Sequence, residues 1–422
     1  MSFDTAVSGI KAASTNLGII GNNIANAGTT GFKSSRGDFT DVFATSLLGV
    51  SQNAIGKGVA VNGVNQSFSQ GNITFTDNVL DMAVNGSGFF VLNDGGTQVY
   101  SRAGNFQVDR SGFVVNAAGQ QLMTFNTTEA GNPTGGMSPL HIDTSLIQPE
   151  GTTEVTMSAN LDSRATPPAV PWPGAGFDAF ASPPTAPDPD MFNSSTSVTI
   201  YDSLGNAHTQ SLYFVKTATS NEWNVYTLID GVSQTGPDTV TFDSSGKIPT
   251  ASLPVEVSVA GWTPQDSAGA ANGAAAQNFT LDLSKLTQFG NEFSVSSIDQ
   301  DGFTTGQLRG VEVGEGGIVY ARFTNGQSRA LGQVALADFA NTAGLQPLGG
   351  SIWAETFTSG QPTLSNPGTG GVGVVQSGAL EDSNVEVTQE LVDMIVAQRN
   401  FQANAKVIQT EDTVTQAIIN LR

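Results

Sequence analysis

The sequence predicts a multidomain, mainly β protein with a long α-helix at each end of the chain, and three observations carry that expectation. The 422 residues exceed one average domain and suggest about two to four. Only 13% of them are charged and 49 are Gly, a composition suited to short strands joined by many turns. The two ends carry apolar residues spaced three and four apart, whereas the interior alternates in the manner of strands.

The first element spans residues 2 to 27. Phe3, Val7, Ile10, Ser14, Leu17, Gly21 and Ile24 stand alternately four and three apart, which is a heptad seam. Ala6, Ala13, Ile20 and Ala27 widen it. Ser2 is placed to cap the start and Gly28 to end the helix. The last element covers residues 384 to 421. Val387, Leu391, Met394, Ile395, Phe401, Ala405 and Ile408 make one stripe, which Val407, Val414, Ile418 and Leu421 continue after a small shift. At about 1.5 Å per residue the two helices would run roughly 40 and 55 Å.

Between them the chain reads as strands, among them Gly88–Leu92, Ser197–Tyr201 and Glu222–Tyr226. Asn85-Gly86, Asp94-Gly95, Leu204-Gly205-Asn206 and Asn325-Gly326 mark turns. Residues 164–190 hold 8 of the 18 prolines and are expected as an exposed loop. Residues 366–373 are Gly-rich and suit a joint before the last helix.

Charge narrows the partners. The net charge is −21, only 16 residues are Lys or Arg, and no basic cluster exists, which argues against nucleic acid and anionic membrane surfaces. There is no cysteine, so disulfides and zinc–thiolate sites are excluded. No apolar run is long enough to cross a membrane, and Met1–Ser14 lacks the basic start of a cleaved signal.

No catalytic constellation, phosphate loop or cofactor motif is recognisable. His141 and His208 read as ordinary strand or turn residues. Asp299-Gln300-Asp301-Gly302 begins like a calcium loop but lacks the remaining ligands, so it reads as a turn. Four tryptophans, Trp172, Trp223, Trp262 and Trp353, could form a sugar platform in a carbohydrate-binding module or enzyme, but core packing explains them more simply.

Each terminal stripe must be buried. One solution packs both helices on the β domains as surface helices. The heptad spacing and the position at the chain ends favour another, an antiparallel coiled coil of the two helices whose remaining apolar surface recruits further copies.

The residues that follow the first stripe read Gly21-Asn22-Asn23-Ile24-Ala25-Asn26-Ala27-Gly28-Thr29-Thr30-Gly31-Phe32-Lys33. This resembles the N-terminal signature of the flagellar rod and hook protein family. Leu380–Val385, Glu390–Ile395 and Gln398–Asn404 resemble its C-terminal signature, and Asp81–Leu92, Tyr100–Phe106, Gly332–Ala337 and Phe339–Leu345 are similar to its core β domain. Within the signature, the three Asn can bond to backbone at the helix end, Gly28 and Gly31 permit left-handed turns, and Ser383 and Asn384 can cap the last helix.

The resemblance implies nested, discontinuous β domains. Residues 1–27 and 384–422 would be the terminal helices of a polymerising inner domain, and 28–70 with 366–383 linkers or hinges. Residues 71–145 with 301–365 would form a middle β domain, and 146–300 an outer one. That outer block lengthens the chain beyond the rod members and carries 16 Asp and Glu against 4 Lys and Arg. The resemblance therefore implies a structural subunit of the hook, a curved flexible tube passing motor torque from rod to filament; a distal-rod or other axial role is the alternative. The implied partners are copies of the chain itself, rod, cap and junction proteins, and the type III export apparatus, with delivery outside the cell and no cleaved signal. Phe39 and Phe43 fit an aromatic-xxx-apolar export motif or, equally, one turn of an amphipathic segment.

Overall fold

The computed structural model describes residues 2–42, 56–174 and 176–420. The chain divides into two compact units. One combines residues 1–144, 309–322 and 328–422; the other combines 145–308 and 323–327.

In the first unit, helix α1 spans Ser2–Ala25 and helix α2 spans Val387–Asn420. Gly9 of α1 lies against Asn404 of α2, and Asn23 near the end of α1 bonds Glu390 in the first turn of α2. The helices are therefore antiparallel. The end of α1 also departs from expectation. It stops at Ala25, where the Asn26 side chain donates to the Asn22 carbonyl (2.9 Å) in competition with the helix ladder. Gly28 is not left-handed; Gly31 is, at φ 66°, and a Cβ there would lie 2.5 Å from the Ala103 backbone nitrogen.

Both segments expected as linkers contain strands. Ser35–Asp41 and Val59–Gln66 form an antiparallel hairpin that lies along α1. In the other segment, Val374–Ser377 pairs with Met82–Asn85, and Ala379–Glu381 pairs with Ile73–Phe75. Gly-rich composition signalled mobility there, but backbone pairing and buried polar contacts hold both segments in the unit.

The main sheet of this unit centres on Phe89–Asp94. That strand pairs with Thr97–Ser101 through the Gly95-Gly96 turn, with Gln121–Thr127 and with Leu336–Asp338. Phe89 to Leu92 are all buried, so both faces of the strand are covered. Phe68, Phe89, Phe339, Tyr100 and Trp353 form an edge-to-face cluster with ring centroids 4.8–5.9 Å apart.

The second unit is built from two sheets that share one core. Ser194–Tyr201, Ala207–Lys216, Glu222–Ile229 and Val232–Thr241 form an antiparallel meander. Glu154–Asp162 is central to the other sheet. It runs parallel to Gln277–Asp282 and Thr287–Phe289, and antiparallel to Ser294–Gln300. Strict alternation along Glu154–Asp162 and Ala207–Lys216 sends Val155, Met157, Leu161, Leu212 and Phe214 inward.

Trp223, Trp262 and Trp353 are buried core residues. Trp172 is half-buried and stacked on Tyr226 at 4.4 Å. The Pro-rich stretch is irregular and mostly exposed, as expected of a loop, and it is also pinned to the meander. Trp172 packs edge-on to Phe177, which is buried and whose carbonyl accepts the Ser233 amide (2.8 Å).

Candidate functional site

The three motif regions of the first unit meet at one buried carboxylate, that of Glu381. Its Oε1 accepts from Lys33 Nζ (2.7 Å) and the Gly71 amide (2.9 Å), and its Oε2 from Arg102 Nη1 (3.1 Å). Lys33 and Glu381 side chains are 0% exposed and Arg102 is 4% exposed. Lys33 also donates to the Ser69 carbonyl (2.7 Å), and Arg102 to the carbonyls of Val84 and Gly86. The Glu381 carbonyl accepts the Gly31 amide at 2.7 Å.

Burial pushes the Lys33 ammonium below its ordinary value, and the Glu381 carboxylate opposes that shift. Burial lowers Arg102 as well, again against Glu381. Lys33 and Arg102 share the one Glu381 carboxylate, and Asp338 adds a further favourable charge for Arg102.

Two asparagines extend the junction toward the helices. Asn384 accepts the Ser34 amide (2.7 Å) and donates to Ser67 and Ser69, so it binds the N-terminal segment rather than capping α2, which starts at Val387. Asn23 is 2% exposed. It donates to the Ser35 carbonyl (2.8 Å) and to Glu390 Oε1 (2.8 Å), and accepts the Ser35 amide (2.9 Å). Of the remaining signature residues, Asn22 and Asn26 bond each other at the helix end, and the Thr30 carbonyl accepts from Ser351 Oγ. Phe32 is half-buried, while Ala25 is exposed.

The seam residues are distributed over two surfaces. On α1 the buried line is Ala6, Ala13 and Ile20, while Val7, Ile10, Leu17 and Ile24 are half-buried and Phe3 is exposed. On α2 the single expected stripe splits. Met394, Ala405 and Ile408 are half-buried and Ala397 buried, along the line facing α1. Val392, Ile395 and Val396 are exposed on the side of the helix turned away from α1, and Leu391 is exposed on the flank between the two. Phe401 and Val414 are also exposed. The Ile418 side chain, Leu421 and Phe43 lie outside the described residues, and Phe39 pairs across the hairpin with Val61, both exposed.

Lys33, Arg102 and Glu381 sit inside motifs read from the sequence, yet nothing in their spacing announced that they would meet. The available signal was scarcity: Lys33 and Arg102 are two of only 16 basic residues and stand as single charges within motifs of small, apolar and polar residues.

In the second unit His208 is more than an ordinary strand residue. Its Nδ1 lies 2.6 Å from Asp230 Oδ2 and its Nε2 3.3 Å from Asp202 Oδ2, with the ring edge-on to Trp262. Burial alone would raise the Asp202 carboxyl; hydrogen bonds from Asn206, Asn272 and His208 together outweigh it and hold the group at about 2. The Asp301 carboxylate accepts the amides of Thr153 and Glu154, which is a turn-stapling role. His141 lies against the Ser111 carbonyl (3.0 Å). Among the described residues no group of three or more His, Asp or Glu could hold a metal.

Four family models match the chain: flagella basal body rod protein at residues 3–33, flagellar hook protein FlgE/F/G D1 domain at 83–160, flagellar basal body protein FlaE D2 domain at 160–303, and flagellar basal body rod FlgEFG protein C-terminal at 376–421. The flagellar hook protein FlgE of Salmonella typhimurium is 38% identical over 436 residues, covering 100% of both chains. That of Borreliella burgdorferi is 33% identical over 452 residues, covering 99% of this chain and 98% of its own. The crystal structure of Helicobacter pylori flagellar hook protein FlgE2 covers 72% of this chain and 99% of that one, with a TM-score of 0.51 at 17% identity, a likeness of fold.

Proposed function

The chain belongs to the flagellar hook protein FlgE family, and from that premise we propose how its own residues build a hook. The α1/α2 pair forms an antiparallel coiled coil in the inner wall of a tube, and the exposed side of α2 is the surface through which copies join. Leu391, Val392, Ile395 and Val396 supply that surface, and each is about half exposed, between 48% and 51%. This unpartnered apolar surface, which runs from the flank of α2 at Leu391 round to the side turned away from α1, carries the reading. Phe3 and Val414 extend the exposed apolar surface along the pair.

A contact between different patches of successive copies does not close on itself and grows a helical filament. The acidic composition of residues 146–300, 16 Asp and Glu against 4 Lys and Arg, keeps the contacts of that block reversible through like charge. The subunit is exported through the flagellar type III apparatus without signal cleavage, meets rod, cap and junction proteins at the tube ends, and does no catalysis.

The test is Val392→Asp with Ile395→Asp. Both side chains are exposed, so circular dichroism and thermal unfolding of the variant should match the wild type. Electron microscopy should show tubes from the wild type and none from the variant. Tubes of ordinary form from a variant that carries two charges on that face would refute the role assigned to it.

A further inference from the structure

We propose that Glu381 is the positioning residue of the subunit: its buried carboxylate fixes the angle at which the α1/α2 pair leaves the strands of the first unit, and through that angle the geometry of the tube. The inference rests on the hook reading and deepens it.

The argument begins with which segments the carboxylate joins. Lys33 lies on the segment leaving α1, Gly71 two residues before the strand Ile73–Phe75, Arg102 just after the strand Thr97–Ser101 of the main sheet, and Glu381 itself three residues before Asn384. The three chain segments that join the helices and their hairpin to the rest of the unit all reach this point. Glu381 is held by its backbone too, through the Gly31 amide and the Ala379–Glu381 pairing with Ile73–Phe75. Asn384 and then Asn23 repeat the pattern on the way to the helices, each tying the N-terminal segment to a different element. Hydrogen bonds of defined direction at three successive levels allow one orientation, whereas apolar packing at the same levels would allow a range.

The second part concerns why an ion cluster is found there at all. Taking three charges out of water is costly, and apolar residues of similar volume commonly stabilise such a position as well or better. Stability alone therefore does not account for the node. Fixed orientation does, because charged partners discriminate strongly between aligned and misaligned geometry. Lys33 and Arg102 face each other across the carboxylate, so losing it leaves two buried cations in mutual repulsion.

The test compares tubes rather than monomers. Glu381→Gln leaves the cations unpaired and is expected to reduce folded protein, so it is run beside a triple variant, Lys33→Met with Arg102→Met and Glu381→Leu, which removes the charges together. The triple variant is expected to unfold at a temperature close to that of the wild type and to assemble. Its tubes, measured by cryo-electron microscopy, should show a shifted helical pitch and a wider spread of curvature. Triple-variant tubes with wild-type pitch and curvature would overturn the proposal. Wild-type protein that forms no tubes under the same conditions would overturn the hook reading instead, so the two failures are told apart.

Discussion

Replacing Asn23 by Ala should loosen the junction by an amount that can be worked from its bonds. The side chain makes two bonds with the Ser35 backbone, at 2.8 and 2.9 Å, and one with Glu390 at 2.8 Å. A neutral buried hydrogen bond contributes about 1 kcal/mol and one to a charged group about 1.5–3, so the loss comes to roughly 3 kcal/mol or more. At 1.4 kcal/mol per tenfold, that is on the order of a hundredfold in the local opening equilibrium. The Ser35 amide is the natural reporter because Asn23 is its acceptor. Hydrogen exchange measured by mass spectrometry on assembled full-length protein should show the peptide around Ser35 exchanging about a hundredfold faster, with strands such as Phe89–Asp94 unchanged. Asn23→Asp keeps the acceptor but faces Glu390 and the Ser35 carbonyl with a carboxylate, so it should be no better than Ala. Exchange at Ser35 within about threefold of the wild type in both variants would refute the view that this asparagine ties the three elements.

The second unit should lose a distinct increment of stability in acid. With Asp202 held at about 2 against an ordinary value near 3.9, its contribution of about 2.5 kcal/mol is complete above about pH 5 and disappears as pH falls through 2; urea titrations of wild type and Asp202→Asn should converge over that window. Trp172→Ala removes the stack on Tyr226, the edge contact with Phe177 and the tilted contact with Tyr213, so it should cost about 2–3 kcal/mol and expose residues 164–190 to protease, as read by the thermal midpoint and limited digestion. A Cβ at Gly9 would come within 2.6 Å of Asn404 Oδ1, so Gly9→Ala should weaken tube assembly, and Asn404→Ala in the same chain should restore it, as scored by sedimentation.

Much of the architecture was legible because it follows from spacing. Alternation placed Ser197–Tyr201 and Glu222–Tyr226 within strands, and the turn residues at Asp94-Gly95 and Asn325-Gly326 lie where the chain reverses. The terminal stripes were visible, but their division was not. Periodicity reports that Leu391, Met394 and Ile395 lie on neighbouring faces, whereas which of them meets α1 depends on the partner's small residues, Gly9 and Ala13 among them. Gly content at 366–373 reads equally as mobility or as close approach, and at Gly373 it marks close approach: the Asn85 carbonyl lies within 2.2 Å of where its Cβ would stand. The ion node was hidden for a different reason. Its members are separated by up to 348 residues, and no local rule brings such partners together.

That separation bears on the order in which the protein can mature. The Asn23–Ser35 bond closes a span of 12 residues, whereas Lys33–Glu381 closes one of 348. On the logarithmic scaling of ring closure, the longer span costs about 3 kcal/mol more in chain entropy. The hairpin beside α1 can form early, but the clasp over it must await the arrival of a segment made hundreds of residues later. A chain delivered through a narrow conduit would thus emerge with its fastening surfaces unfinished. It would become competent to join a growing end only once its tail had caught up with its head, which amounts to a timer written into the connectivity.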